Sequence, residues 1–401
     1  MAQHYEVVKG IDWKQVCPPI VLTRCFRVGI SISVLLLTTL GVCLTGAGWN
    51  VSDWAFAPSS ERAVPAIDLT TTQSVTDDSA SVWETLADGQ GVGWVGNKIC
   101  GYLQEEHLAD GQITGKRALA KCIVDFFWLL LVWSYVGGII TRIAVVRIGR
   151  GERVSLREAC CFVRRKYVSY LMSPLFIMVS CAVISLPMLL IGLLLNFDVG
   201  VVLAAILWLI VMIAGISIAV LLTGLFFGWP LMWPAISAEE AGDVYEATSR
   251  SFAYTFQAPI QYLFYVLIAL AIWMPGVVIV QNFTAFAEQI IFSIAGVSGG
   301  ESLTGIQHYL QQGRWDSGEP SGTFTAGANI IFGLHWLGHA MADAFCIAFF
   351  FCSSAGVYLM LRRFVDQTEI DEVYVIDEKT KYGLADLIRE NEPEADAVEE
   401  V

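Results

Sequence analysis

The sequence predicts an all-α integral membrane protein of about six transmembrane helices, and three observations carry that prediction. Of 401 residues, 55% are hydrophobic and only 15% are charged, too apolar a balance for an ordinary water-soluble domain. Several uninterrupted apolar runs reach the roughly 20 residues that cross a bilayer as a helix. The cations are also sorted: residues 142–166, RIAVVRIGRGERVSLREACCFVRRK, hold eight of the 24 Lys and Arg between two such runs. Short loops rich in Lys and Arg stay on the cytoplasmic side. This loop therefore orients every span, with both termini expected in the cytoplasm.

Residues 1–27 read as a cytoplasmic interfacial segment, with Trp13, Lys14, Arg24 and Arg27 suited to a helix lying at the interface. Transmembrane helix 1 is placed at 28–49. Its apolar run, Val28 to Leu44, closes on Gly46 and Gly48, with Trp49 as interfacial anchor. Arg24 and Arg27 before this run resemble the start of a signal peptide. The run is too long for a signal h-region and lacks an Ala-x-Ala-like site, so an uncleaved signal anchor is expected. Residues 50–121 form an extracytoplasmic segment. Its Ser-, Thr- and Asp-rich part, Pro58 to Ser81, can bury little apolar surface, whereas the apolar residues from Trp83 to Leu108 predict a small helical cap.

Residues 122–363 make the bundle of helices 2–6. Its spans are expected at 122–145, with Gly137 and Gly138 for close backbone approach, at 171–195, with a kink at Pro187, and at 199–232. Two more follow at 260–280 and 330–361. Asn196, Phe197 and Asp198 leave room only for a tight hairpin. Trp229-Pro230 and Trp233-Pro234 read as a helix end at the lipid interface. Interfacial helices are predicted at 150–170 and 235–258, and an outer segment at 281–328 with Gly and Ser turns around Ser298 to Ser302 and Ser317 to Gly322. Eighteen Lys and Arg then lie inside against six outside.

Two inner segments share a design. Ser155-Leu-Arg-Glu158 and Asp243-Val-Tyr-Glu246 each place a capping residue three positions before Glu. The first side chain accepts a bond from the Glu backbone N–H, and the carboxylate reaches back. Each box leads through Pro174 or Pro259 into an apolar run, and Asp12-Trp-Lys-Gln15 reads as a third, degraded copy. Tyr245, Phe252 and Phe256 share one face of the second copy, with Glu246 and Arg250 paired four apart on the other. Three parallel repeats follow, each an interfacial helix and a transmembrane hairpin.

Gly151-Glu-Arg-Val-Ser-Leu-Arg-Glu-Ala, Trp233-Pro-Ala-Ile-Ser-Ala-Glu and Tyr245-Glu-Ala-Thr-Ser-Arg-Ser-Phe-Ala-Tyr are short motifs of a common type. With Tyr358-Leu-Met-Leu-Arg-Arg and Asp371-Glu-Val-Tyr, they give the chain outside 50–118 a resemblance. It resembles a family of uncharacterised bacterial multi-pass inner-membrane proteins with no known activity. The resemblance implies an inner-membrane location and brings no catalytic or binding residue with it.

The formal charge of −14 is concentrated in the acidic cytoplasmic tail, 364–401, where 13 Asp and Glu face three Lys and Arg. The body has no basic stripe suited to nucleic acid. Ile370, Val373 and Val375 alternate in the tail ahead of Leu384 to Ile388, which suits either docking on a partner or a solvated acidic segment. Of the ten cysteines only Cys100 and Cys122 fall where an oxidising compartment reaches, and no Cys-x-x-Cys occurs, so neither a disulfide framework nor a zinc ribbon is expected.

The most suggestive constellation is His335, His339 and Asp343, spaced four and four on one helical face. Two such His and a carboxylate suit a divalent transition metal or a proton relay. The plain alternative is a solvated helix extension at the outer mouth. Asp125 is expected to pair with Lys121, or, if it faces the stripe, to act as a fourth ligand. Gly296-Val-Ser298-Gly299 is similar to the Gly-x-Ser-Gly of intramembrane serine proteases but falls in a predicted outer loop. Arg147, Arg150, Arg153, Arg157, Arg164, Arg165 and Lys166 are candidates for anionic lipid headgroups. Cys160 and Cys161 read as spectators.

No catalytic centre or cofactor is expected. The reading is a non-enzymatic membrane-organising, assembly or lipid-interacting protein, with the bilayer, its anionic headgroups and a membrane-protein partner or second copy as partners. A small-solute or proton-coupled transporter is the alternative, and a metal-dependent membrane enzyme the third. In intact spheroplasts an impermeant maleimide is expected to label Cys100, with Cys160 and Cys161 reacting only once the inner face is opened. Prompt labelling of that pair from outside would reverse the topology.

Overall fold

The computed structural model describes residues 18–56, 112–312 and 322–375. Among them lie a 3-10 turn, Pro18–Leu22, and eight α-helices: α1 (Thr23–Gly29), α2 (Ile32–Phe56), α3 (Gln112–Gly149), α4 (Leu156–Leu194), α5 (Asp198–Ala238), α6 (Val244–Gln257), α7 (Pro259–Gln312) and α8 (Gly322–Val365). The six long ones are apolar enough to cross a membrane, so the protein has the all-α architecture of a multi-pass membrane protein. The expected cap at 83–108, the box at Asp12, and Cys100, Ser317 and Leu384 lie outside the described residues.

α8 is the centre of the bundle. In its most apolar stretch 78% of residues are buried, against 11% in α4 and 6% in α5. It packs on α2, α3, α5 and α7. The α4–α5 hairpin leans on this core only near its basic end, the end that carries the 142–166 loop. Beyond it, Leu189, Leu190, Val199 and Ile206 are exposed, as suits lipid rather than water.

The helices outrun the predicted spans. α4 is continuous from its Ser155 cap through Pro174 and Pro187, so the interfacial helix and the third span are one element. Pro174 has no N–H for the Tyr170 carbonyl. Trp233 Nε1–H donates to that carbonyl instead, at 3.0 Å, and Ser173 Oγ adds a second bond at 3.3 Å. α5 likewise runs through both Trp-Pro pairs to Ala238 and does not end there. In the turn before Pro230, the carbonyls of Phe227 and Gly228 accept from Tyr262 and Ser251 of neighbouring helices. At Pro259, in contrast, Ala258 leaves the helical region (φ −130°, ψ 51°) and α6 stays separate from α7, as the residue before proline prefers.

Both N-caps form. Glu158 N–H donates to Ser155 Oγ at 3.2 Å and Glu246 N–H to Asp243 Oδ1 at 2.7 Å. The Glu246 carboxylate reaches one residue further back than expected, to the Gly242 N–H. On α6 the buried residues are Ala247, Ser251, Tyr254 and Thr255. Of the three expected aromatics, Tyr245 and Phe256 are exposed, while the Phe252 ring closes on Gly224. Gly137 and Gly138 admit rings rather than backbones: a Cβ on Gly137 would lie 2.6 Å from Trp233, and one on Gly138 3.2 Å from Tyr170. Trp49, expected at the interface, is buried.

A polar knot closes the basic end. The last carbonyls of α5 lack helical donors and receive them from elsewhere. Arg142 Nη1 donates to Ser237 O at 2.6 Å and the Tyr374 N–H to Ala238 O, while Lys166 Nζ donates to Glu239 O and Glu240 O just beyond the helix. Arg142 is buried against the Phe162 ring, 4.0 Å from its centroid. Ser237 Oγ joins Thr141 and Tyr170.

Beside this knot, Glu239 Oε1 lies 2.9 Å from Arg362 Nε and 3.4 Å from Arg250 Nη1, and accepts from Tyr358 at 3.1 Å. Arg250 also pairs with Glu246, as predicted, and with Asp366. Burial, then the hydrogen bond to Asp366 and its charge, push the Tyr254 hydroxyl above its ordinary range, so it stays a donor to that carboxylate. The first turn of the tail is therefore docked: Val373 is buried, its carbonyl accepts from Arg150, and Glu372 O accepts from Arg362.

Removing one partner of a buried ion pair strands the other's charge, at roughly 3–5 kcal/mol. Glu239→Ala is thus expected to lower stability by about that amount in detergent unfolding, and an unchanged midpoint would show that Arg250 and Arg362 do not depend on it. Cys25 gives a second check. It is buried beneath α8, and burial pushes its thiol up to about 12. Alkylation at pH 8 is expected to modify the exposed Cys161 and leave Cys25 intact.

Candidate functional site

The far end of the bundle holds the candidate metal centre. α7 does not stop at residue 280 but continues to Gly300, where the backbone turns (φ 51°, ψ −139°) before the helix resumes to Gln312. α8 starts at Gly322, eight residues before the predicted run. Within the expected outer segment, the described residues 281–312 and 322–328 therefore belong to two helical arms. A small apolar cluster of Ile306 and Ala328, with Phe292, Phe324 and Phe332 packed against it, joins them.

That pairing brings Glu288 of α7 onto the histidine stripe. Nε2 of His335 lies 2.9 Å from Glu288 Oε1, and Nε2 of His339 lies 2.9 Å from Oε2. The imidazole centroids are 4.8 Å apart, and the Phe292 ring meets His335 edge-on at 5.7 Å. All three side chains are partly exposed. Together they form the one group of three or more metal-ligating side chains among the described residues, with ligand atoms within 4.8 Å of one another. Asp343 is not in that group; it sits one turn nearer the basic end and is half-buried. Asp125 is not in it either, and Lys121, its expected partner, forms an ion pair with Asp53 of α2. Ser298 is exposed on α7, ten residues past Glu288, or about 15 Å along the helix.

Glu288 is the residue that sequence reasoning missed. It is the only formal charge between Pro259 and Gly300, and a lone carboxylate in an apolar run is a signal that needs a partner.

The seven candidate lipid-binding cations divide. Arg147 donates to Ser31 Oγ at 3.2 Å, Arg150 to Val373 O, and Lys166 to the carbonyls after α5. Arg153, Arg157, Arg164 and Arg165 are exposed. From Arg157 onward, one face of α4 passes from Arg164 and Arg165 to Val168, Val179, Leu186 and Leu190, all exposed, at spacings that keep them in register.

No protein-family model, curated protein or solved structure matches the chain. What the residues can do is thus read from their chemistry: a row of arginines above an apolar face at one end, and two imidazoles on one carboxylate at the other.

Proposed function

We propose that the protein is a non-enzymatic, membrane-organising component of a bacterial inner membrane that holds anionic lipid at its basic end, with that end in the cytoplasm. The observation that carries this is the outward face of α4, where exposed Arg157, Arg164 and Arg165 stand directly above an unbroken apolar face. Such a boundary matches the step from headgroup to acyl chain. The cations are there for solvent or lipid, because the neighbouring Arg142, Arg150 and Lys166 already supply what the protein's own carbonyls need. A transporter reading meets an obstacle in the middle of the bundle. Trp133 and Trp233 stack on the two sides of Phe351 at 5.4 and 5.5 Å, filling space that a polar path would use.

Each exposed cation near an anionic surface contributes about 1 kcal/mol. Replacing Arg157, Arg164 and Arg165 together by Gln is therefore expected to weaken binding of anionic lipid by up to about 100-fold. Purified wild-type protein should retain anionic phospholipid in excess over its share of the membrane extract, less so at high salt. The triple variant should lose that excess while keeping its helicity. Identical lipid profiles in the two proteins would overturn the reading.

A further inference from the structure

The surroundings of Glu288 set a problem of charge. Phe283, Phe286, Ile291 and Ile294 around it are exposed apolar residues on the same helix, so the arm is built for lipid or a lipid edge rather than water. His335 precedes Arg362 by 27 residues on α8, roughly 40 Å of helix at 1.5 Å per residue. Lys166 precedes Leu194 by 28 on α4, so the site is level with the tip of the α4–α5 hairpin, at the far membrane boundary. A carboxylate there requires compensation. The two imidazoles, with centroids 4.8 Å apart, each turn Nε2 to one oxygen of that carboxylate.

A divalent cation supplies that compensation, since it takes imidazole nitrogens and a carboxylate as ligands. The donor set, two His and one Glu, suits zinc and its neighbours in the first transition row. Tetrahedral bonds of about 2.0–2.2 Å ask for ligand atoms roughly 3.4 Å apart. The observed atoms are 2.9 Å apart across each His–Glu contact and nowhere beyond 4.8 Å. Small rotamer shifts meet that requirement without moving a helix. His335 and His339 share α8 while Glu288 is on α7, so a bound ion ties the two arms together.

We propose that Glu288, His335 and His339 form a binding site for a divalent transition metal, zinc by preference, at the far boundary of the membrane. The site offers three protein ligands and leaves a fourth coordination position open to solvent. It is independent of the lipid reading at the basic end.

The test uses the full-length protein in detergent, stripped with a chelator and titrated with Zn2+, and with Co2+ as a spectroscopic probe. About one equivalent of zinc is expected to remain after desalting, and cobalt is expected to show the intense visible bands of low coordination number. Glu288→Gln and His339→Ala should each weaken zinc binding at least tenfold and remove the cobalt bands. Glu288→Gln is nearly isosteric and keeps the test alive if the histidine variant misfolds. Asp343→Asn should retain the metal. Less than a tenth of an equivalent on the wild type would overturn the site. So would undiminished binding by Glu288→Gln, or loss of metal from Asp343→Asn but not from Glu288→Gln.

Discussion

The C-terminal end of α5 is the constraint on which the rest of the structure depends. In a membrane protein a helix end buried in the bundle has carbonyls that water does not reach, and each unpaired one is costly. Here Arg142 comes from α3, Lys166 from α4 and the Tyr374 amide from the segment after α8. Three separate parts of the chain are thereby recruited to one helix terminus. A cation at that position also opposes the negative end of the helix dipole. Glu239, the first residue beyond the helix, then gathers Arg250, Tyr358 and Arg362. α6, α8 and the start of the tail are held by this second ring of contacts.

The span count, the two N-caps and the Glu246–Arg250 pair were legible because each is a local pattern: an apolar run, a four-residue motif, a four-residue spacing. Helix lengths were not. Proline at 174, 230 and 234 is a local reason to stop, and what overrides it at Tyr170 is an indole from 63 residues away. Nothing near Pro174 announces that donor. The basic loop was legible as a concentration of charge but not in its direction. Arg142 and Arg157 look alike in the sequence, yet one is buried beneath helix ends and the other exposed.

The candidate metal centre was half legible for a similar reason. His335 and His339 announce themselves by spacing within one helix. Glu288 is on another helix, and reading 281–328 as a loop removed the surface that presents it. Asp343 has the right spacing but stands one turn past the point where α7 offers its carboxylate. Periodicity says which residues share a face, whereas the neighbouring helix decides how much of that face is used.

The α4–α5 hairpin is longer than the layer it crosses. From Val199 to Leu231 α5 is uninterrupted by formal charge, about 50 Å of helix at 1.5 Å per residue, against a hydrocarbon core of about 30 Å. With little of its length pinned to the core, the hairpin has two ways to keep its apolar flank out of water: a steep tilt, or a collar of stretched lipid. Each ångström of mismatch costs only a fraction of a kcal/mol, but the sum grows as the bilayer thins. The length of the hairpin's apolar flank therefore matches a thick bilayer better than a thin one.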